Sequence, residues 1–301
     1  MGHFAAGDLD TGGGASVVSQ GRCEREAPID PALLDRRITH LPGIDEARLP
    51  IRAMSIAGLE GKLAARVLSK DMSGPTTRIV RFERDWGSGA AGAFTADVSL
   101  LVISGRVRIG DQALGRYDFA HIPRRCLIPS IRAETGTLGL LLTAAPVAYD
   151  TTSGGVAGAV KTVLFNDIAW KPQPRQPGRF LKPLVSTGHG DSWLSASVEW
   201  SGDDGPWHRH SVDEEVFILD GAIAISELGT HGAKTYTYQP GGYLWRPAGI
   251  LHAGPGSSAT DTAITFHHTS GDLATEWVDR HSVLVPSGDE PRSRPESFPE
   301  G

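Results

Sequence analysis

Glycine and proline punctuate this chain so often that long helices have no room. The 37 glycines and 20 prolines recur at turn-like intervals. Inside a helix each Gly costs about 1 kcal/mol and each Pro about 3 kcal/mol relative to Ala. The apolar stretches between them are short and alternate, as strands do. Ser99–Ile109 reads as strand, turn at Ser104-Gly105, strand, and Val216–Ile225 repeats this with its turn at Asp220-Gly221. Thr137–Leu142 and Thr262–His267 read as further strands, and the best helical segment, Pro31–Ile38, is short.

Composition narrows the function classes. Hydrophobic residues make up 40% of the 301 positions and charged residues 21%, as in ordinary globular proteins. No apolar run approaches the roughly 18–20 residues that span a bilayer; the longest candidate, Leu138–Ala148, is interrupted by Pro146. Twenty-nine Lys plus Arg stand against 35 Asp plus Glu, without a basic block, so nucleic acid is not an expected partner. Cys23 and Cys126 are far apart and outside any metal-type spacing, which fits a reducing compartment. The segment Met1-Gly2-His3-Phe4 lacks a basic stretch followed by an apolar core. A cytoplasmic protein is expected.

The pattern predicts an all-β chain with two similar halves. Residues 1–49, with Gly12-Gly13-Gly14, read as an N-terminal arm, partly disordered. The halves are 50–150 and 179–285, separated by a linker over 151–178. Its Pro172, Pro174 and Pro177 oppose ladder pairing. A polar tail follows over 286–301. The run Leu100–Ile109, then Gly115-Arg116-Tyr117 and Pro123, matches Val216–Ile225, then Gly241-Gly242-Tyr243 and Pro247.

Chemistry concentrates in Trp207-His208-Arg209-His210-Ser211-Val212-Asp213-Glu214. His208 and His210 stand two apart on an expected strand, so both imidazoles leave one face. Glu214 opens the next strand, with Glu215 as a competing carboxylate. Farther on, Pro247-Ala248-Gly249 forms a turn ahead of His252. Three imidazoles and a carboxylate suit a borderline divalent cation and leave coordination positions open. Counting back from Gly105 as from Gly221, and on from Pro123 as from Pro247, the first half offers Gly92, Phe94, Val98 and Ile128 at these positions. None can ligate a metal, so one metal per chain is expected, in the second half.

These residues resemble the cupin superfamily. Its first motif, Gly-x5-His-x-His-x3-Glu-x6-Gly, is met by Gly202, His208, His210, Glu214 and Gly221. Its second, Gly-x5-Pro-x-Gly-x2-His-x3-Asn, is met by Gly241, Pro247, Gly249 and His252, with Gly256 in place of the Asn. The resemblance implies two tandem jelly-roll β-barrels, a bicupin, with the metal in the C-terminal barrel. His208, His210, Glu214 and His252 would be its ligands. The wording His-x-His-x3-Glu-Glu is shared with small cupin dioxygenases and with anti-sigma-factor-type cupins. It implies a metal-dependent oxygenase acting on a small carbonyl or phenolic compound. Fe(II) is the first expectation for the metal, with Zn, Mn or Ni as alternatives. A non-oxidative metal enzyme (isomerase, lyase, decarboxylase or hydrolase) and a metal-binding sensor module are the competing functions.

Around the ligands, His267 and His268 offer a proton shuttle, with strand alternation turning one inward and one outward. Tyr243 is a further candidate beside the metal. Trp207, Phe217 and Trp245 are candidates to line a substrate pocket, and Arg246 to pair with an anionic substrate or with a carboxylate. Arg209 should face away. A homodimer is the default assembly, since such barrels commonly pair through sheet edges.

Overall fold

The computed structural model describes residues 41–282, except 72–73, 153–154, 157, 188–189 and 230–231. The expected helix at Pro31–Ile38, most of the arm and the polar tail lie outside the described residues. Within them almost every ordered segment is strand, and the helical turns are two 3-10 pieces, Glu46–Arg48 and Phe165–Asp167. No described helix is long and apolar enough to cross a membrane.

The first half is built on a seven-stranded antiparallel sheet with Val98–Ser104 and Leu138–Thr143 at its centre. Four- and three-stranded sheets close over it. The second half is one twelve-stranded sheet system, in which Ser258–Thr269 pairs with both Gly190–Ser201 and Glu214–Asp220. The hairpin glycines do equivalent work in the two halves. Gly105 (φ +82°) and Gly221 (φ +66°) take a left-handed conformation. A Cβ there would lie 2.5 Å from Thr137 Oγ1 or 2.1 Å from the Thr262 carbonyl oxygen, so only Gly turns the chain at these points.

Three apolar clusters hold the halves. One fills the first half, with Phe82, Phe94, Val98, Ile122, Ile128 and Leu141 among its members. A smaller one, including Trp200, Val216, Ile218 and Leu244, lies inside the second half. The third joins them: Leu101, Phe119 and Leu140 of the first half pack against Phe217, Tyr243, Trp245 and Phe266 of the second. Each such fully buried side chain stabilises by about 1.5–3 kcal/mol.

Two segments differ from the sequence expectation. Leu41–Asp45, assigned to the arm, pairs with Gly242–Arg246 of the second half. Glu46 next to it pairs with Arg66 of the first half at 2.7 Å, so this end of the arm ties the halves together. The linker also carries strands. Lys161–Val163 pairs with Phe119–His121, and Lys171–Pro172 pairs with Phe180 and Leu181. Pro172 is tolerated because it lies on a two-residue edge strand, where no second ladder needs its missing N–H.

Candidate metal centre

The site forms where a short strand meets a tight turn. Trp207–His210 is a strand in which His208 and His210 are buried and Arg209 is turned out to Glu276, at 2.8 Å. His252 lies on Leu251–His252, directly opposite His208 in the ladder. The preceding turn aims it: Gly249 has φ +88° and donates its N–H to the His210 carbonyl at 2.9 Å. One ring nitrogen each of His208, His210 and His252 thereby comes within 4.8 Å of the others, a spacing that could hold a metal ion. One ion bound to imidazoles at about 2.1 Å keeps such nitrogens within about 4.2 Å, so the rings are nearly in place.

Their chemistry fits a divalent cation. Burial pushes the pKa of His208 and His252 well below the ordinary histidine value, and that of His210 in the same direction. All three are therefore neutral at pH 7 and carry lone pairs. His252 donates from Nδ1 to the Ile250 carbonyl at 2.9 Å, which leaves the lone pair of Nε2 available to a cation. His210 Nδ1 lies 3.2 Å from Thr275 Oγ1, and His208 Nδ1 lies 3.5 Å from the Gln176 amide nitrogen.

Glu214 borders the triad, with oxygens 3.8 Å from His210 Nε2 and 3.5 Å from His252 Nε2. Each oxygen already accepts one bond: Oε2 from Arg246 at 2.6 Å, Oε1 from His267 Nδ1 at 2.8 Å. A carboxylate oxygen has two lone pairs, so each keeps one toward the imidazoles. Burial works against the charge, but Arg246 and the neighbouring histidines hold the Glu214 carboxyl well below its usual range. Arg246 also bonds Glu227 at 2.6 Å, and the two carboxylates keep its guanidinium charged despite burial.

His267 faces this site and His268 faces away. His267 takes a hydrogen bond from Thr265 Oγ1 at 2.8 Å and stacks on Trp193 with ring centroids 4.8 Å apart. His268 is bonded to Ser192 at 2.9 Å and lines a groove of about 320 Å³ between the halves. Glu215 also faces the first half, accepting from Tyr243 and Ser69 at 2.9 and 3.2 Å. Alternation along one strand thus separates Glu214 from its neighbour.

Four sequence candidates are not at the cavity. Tyr243, Phe217 and Trp245 belong to the apolar cluster between the halves, because their strands are buried on both faces. Trp207 packs over Gly254, where a Cβ would come 2.3 Å from its ring. The aromatic residues that do line the cavity are Trp193 and Trp277. With them stand Arg179 and Gln176, which no motif marked. Arg179 and Leu181 share one face of a strand, and an arginine on an otherwise apolar inward face is the signal that was available. The cavity measures about 90 Å³ and extends from the three histidines past Arg179 and Trp277.

The first half repeats the architecture without the chemistry. Ile128 pairs with Gly92 as His252 pairs with His208. Ile122 pairs with Val98 as Arg246 pairs with Glu214. The counterparts of His208, His210, Glu214, Arg246 and His252 are Gly92, Phe94, Val98, Ile122 and Ile128, none of which carries a polar side chain, and the Tyr149 ring lies 2.6 Å from where a Gly92 Cβ would stand. This register also corrects the alignment of Tyr117 with Tyr243. Phe119 pairs with Leu101 as Tyr243 pairs with Phe217, so the match shifts by two residues, and Tyr117 sits in the preceding turn at φ +65°.

No protein-family model matches the sequence, and no curated protein does. Solved structures do. A provisionally assigned dioxygenase from Nostoc punctiforme superposes with a TM-score of 0.64 at 18% identity, over 82% of this chain and 85% of that one. Bacillus subtilis oxalate decarboxylase gives 0.53 at 14% identity, over 81% of each chain. Another structure of that enzyme, determined in a study of its Mn(II) centres, gives 0.51 at 12% identity and 81% of each chain. The chain has a cupin-type fold. At these identities the likeness is one of fold, and the chemistry of the site rests on its own residues.

Proposed function

We propose that the chain is a metal-dependent cupin enzyme of dioxygenase type, with one divalent metal held by His208, His210, His252 and Glu214. Fe(II) is the metal this reading favours, and a small carbonyl or phenolic compound the substrate. The observation that carries it is three neutral imidazoles converging at a cavity that leaves space beside them. A structural metal site is normally closed by its ligands, whereas a catalytic one keeps room for a reactant. A metal there would polarise a bound oxygen atom and, as Fe(II), supply electrons for dioxygen chemistry.

The chain's own residues orient and neutralise. His267 and Arg246 fix the Glu214 carboxylate from opposite oxygens. The Glu214 carboxylate can only accept, which places the His267 proton on Nδ1 and turns Nε2 toward Thr265 Oγ1. Trp193 stacks on that imidazole and Trp277 packs on His208 with centroids 4.8 Å apart, so two indoles shield the site.

A second reading is a non-oxidative metal enzyme. It is favoured by the arginines at the cavity, Arg179 and Arg246, which would stabilise negative charge developing on a substrate oxygen without any oxidant. Elemental analysis of protein purified without added metal, followed by an oxygen-electrode screen over β-diketones and hydroxylated aromatics, tests both. Iron with oxygen uptake supports the first reading. Turnover that persists without oxygen supports the second. Tightly held zinc with no turnover of any compound overturns both in favour of a sensor module.

A further inference from the structure

We propose that Arg179 is a carboxylate-recognition residue, so that the cavity takes a small organic acid whose second oxygen function reaches the imidazoles. The inference deepens the reading above and rests on it.

Arg179 opens the Arg179–Thr187 strand and is buried, with 7% of its surface exposed. Its Nη1 donates to Gln176 Oε1 and its Nη2 to Ser195 Oγ, both at 3.1 Å. Both acceptors are neutral. Its Nε is buried and has no hydrogen-bond partner. Among the described residues no carboxylate pairs with it, in contrast to Arg246, which holds two at 2.6 Å each. The Trp200 face, 4.9 Å away, offers it a cation–π contact, which is weaker than an ion pair.

A buried guanidinium with no carboxylate in hydrogen-bond contact, and with Glu214 acting on it only from a distance, is an expensive group to keep. Burial lowers its pKa to about 10, so it still carries its charge at neutral pH. Glu214 and Glu227 are already engaged by Arg246, and a divalent metal would add further positive charge. A bound anion supplies what is missing. Guanidinium and carboxylate match as a planar two-point pair, the strongest form of charge-assisted hydrogen bond.

Position and volume narrow the ligand. Gln176 touches Arg179 with its amide oxygen and approaches His208 with its amide nitrogen. One amide thus bridges Arg179 and His208, which places the anion subsite close to the imidazoles. The cavity measures about 90 Å³, smaller than the roughly 150 Å³ of a cavity that takes benzene, so it suits a ligand of few heavy atoms. These limits describe a short 2-oxo or 2-hydroxy acid, with its carboxylate at Arg179 and the adjacent oxygen toward His208.

The test is titration calorimetry of the full chain, as purified with its metal, using glyoxylate and pyruvate as probes and acetylacetone as a neutral comparison. Arg179→Gln should retain its metal by elemental analysis and lose about ten- to hundredfold in affinity for the acids, with acetylacetone binding unchanged. Arg179→Lys should recover part of that loss. Without ligand, Arg179→Gln should melt at the same temperature as the parent or higher, because an unpaired buried charge is gone; a purely structural arginine would lower the midpoint. Equal loss of acid and neutral probe, a lowered midpoint, or no binding of either acid to the parent protein would overturn the assignment. An absence of metal from the parent protein would instead defeat the metal reading itself.

Discussion

Arg246→Met removes the guanidinium that bonds Glu214 and Glu227 together. Both bonds are 2.6 Å, and all three side chains are at most 4% exposed. Deleting one partner of a buried ion pair costs about 3–5 kcal/mol, because the survivor is left charged and without water. Here two carboxylates lose their partner, which places the expected cost at pH 7 toward the upper end of that range. It would consume much of the roughly 5–15 kcal/mol that holds a typical domain together.

The pH dependence carries the sharper test. In the parent protein the Glu214 carboxyl is held well below its ordinary value, against the pull of burial, mainly by Arg246. The resulting stability is present above the unfolded-state pKa of about 4.3 and is lost as pH falls through the folded value. In the variant burial is no longer opposed by Arg246, and the carboxyl shifts upward. A raised carboxyl leaves the fold unaffected at low pH and destabilises it as pH rises through the new value. The difference between the proteins should therefore grow from pH 4 toward pH 7, as the variant's raised carboxyl is forced to ionise, and fade only as pH falls through the parent's low folded value. The buried histidines weaken both proteins in acid, since their lowered pKa values make the unfolded chain the better proton acceptor. The comparison must accordingly be a difference at each pH. Urea unfolding of metal-stripped protein, followed by tryptophan fluorescence, reports on the right region, because every one of the seven tryptophans except Trp86 lies beyond residue 166. A gap below about 1 kcal/mol at pH 7, or one that stays constant down to pH 4, would refute the pairing as the source of stability.

His210→Ala should bring the metal content from one per chain to near zero while far-UV circular dichroism stays unchanged; retained metal would remove His210 from the ligand set. Gly92→His should destabilise the first half by about 1–3 kcal/mol through overpacking against Tyr149. It should also add no second metal, since Val98 and Ile128 offer no donors; elemental analysis and thermal melting read both effects. Tyr243→Phe should cost about 1–3 kcal/mol by leaving buried Glu215 short of a donor. Metal content and turnover should not change, and a loss of turnover at unchanged stability would return Tyr243 to the site.

The sequence exposed the imidazoles because their geometry is local. His208 and His210 share a face through strand alternation, and His252 follows a glycine turn only three residues long. The residues that tune them are set by pairing between distant strands. Glu214 meets Arg246 across one ladder, and Val216 meets His267 across another, so only the register shows that both close on Glu214. The aromatic candidates failed for a different reason. Alternation divides Phe217, Tyr243 and Trp245 from the site face, but it does not say that the opposite face is also buried. In Glu214–Asp220 and Gly242–Arg246 nearly every residue is buried, because the first half presses on the side that a lone barrel would show to water. The same contact explains the repeat. Phe119 and Leu101 pack in one cluster with Phe266 and Phe217, so the faces that meet are apolar in both halves. The interior faces differ: one holds Phe94, Val98, Ile122 and Ile128, the other the three imidazoles and Glu214. The contact between the halves is thus shared, while their interiors differ. It also makes the first half's contribution measurable: loosening the contact between the halves should weaken the strand that carries Glu214 before it disturbs the histidine turn.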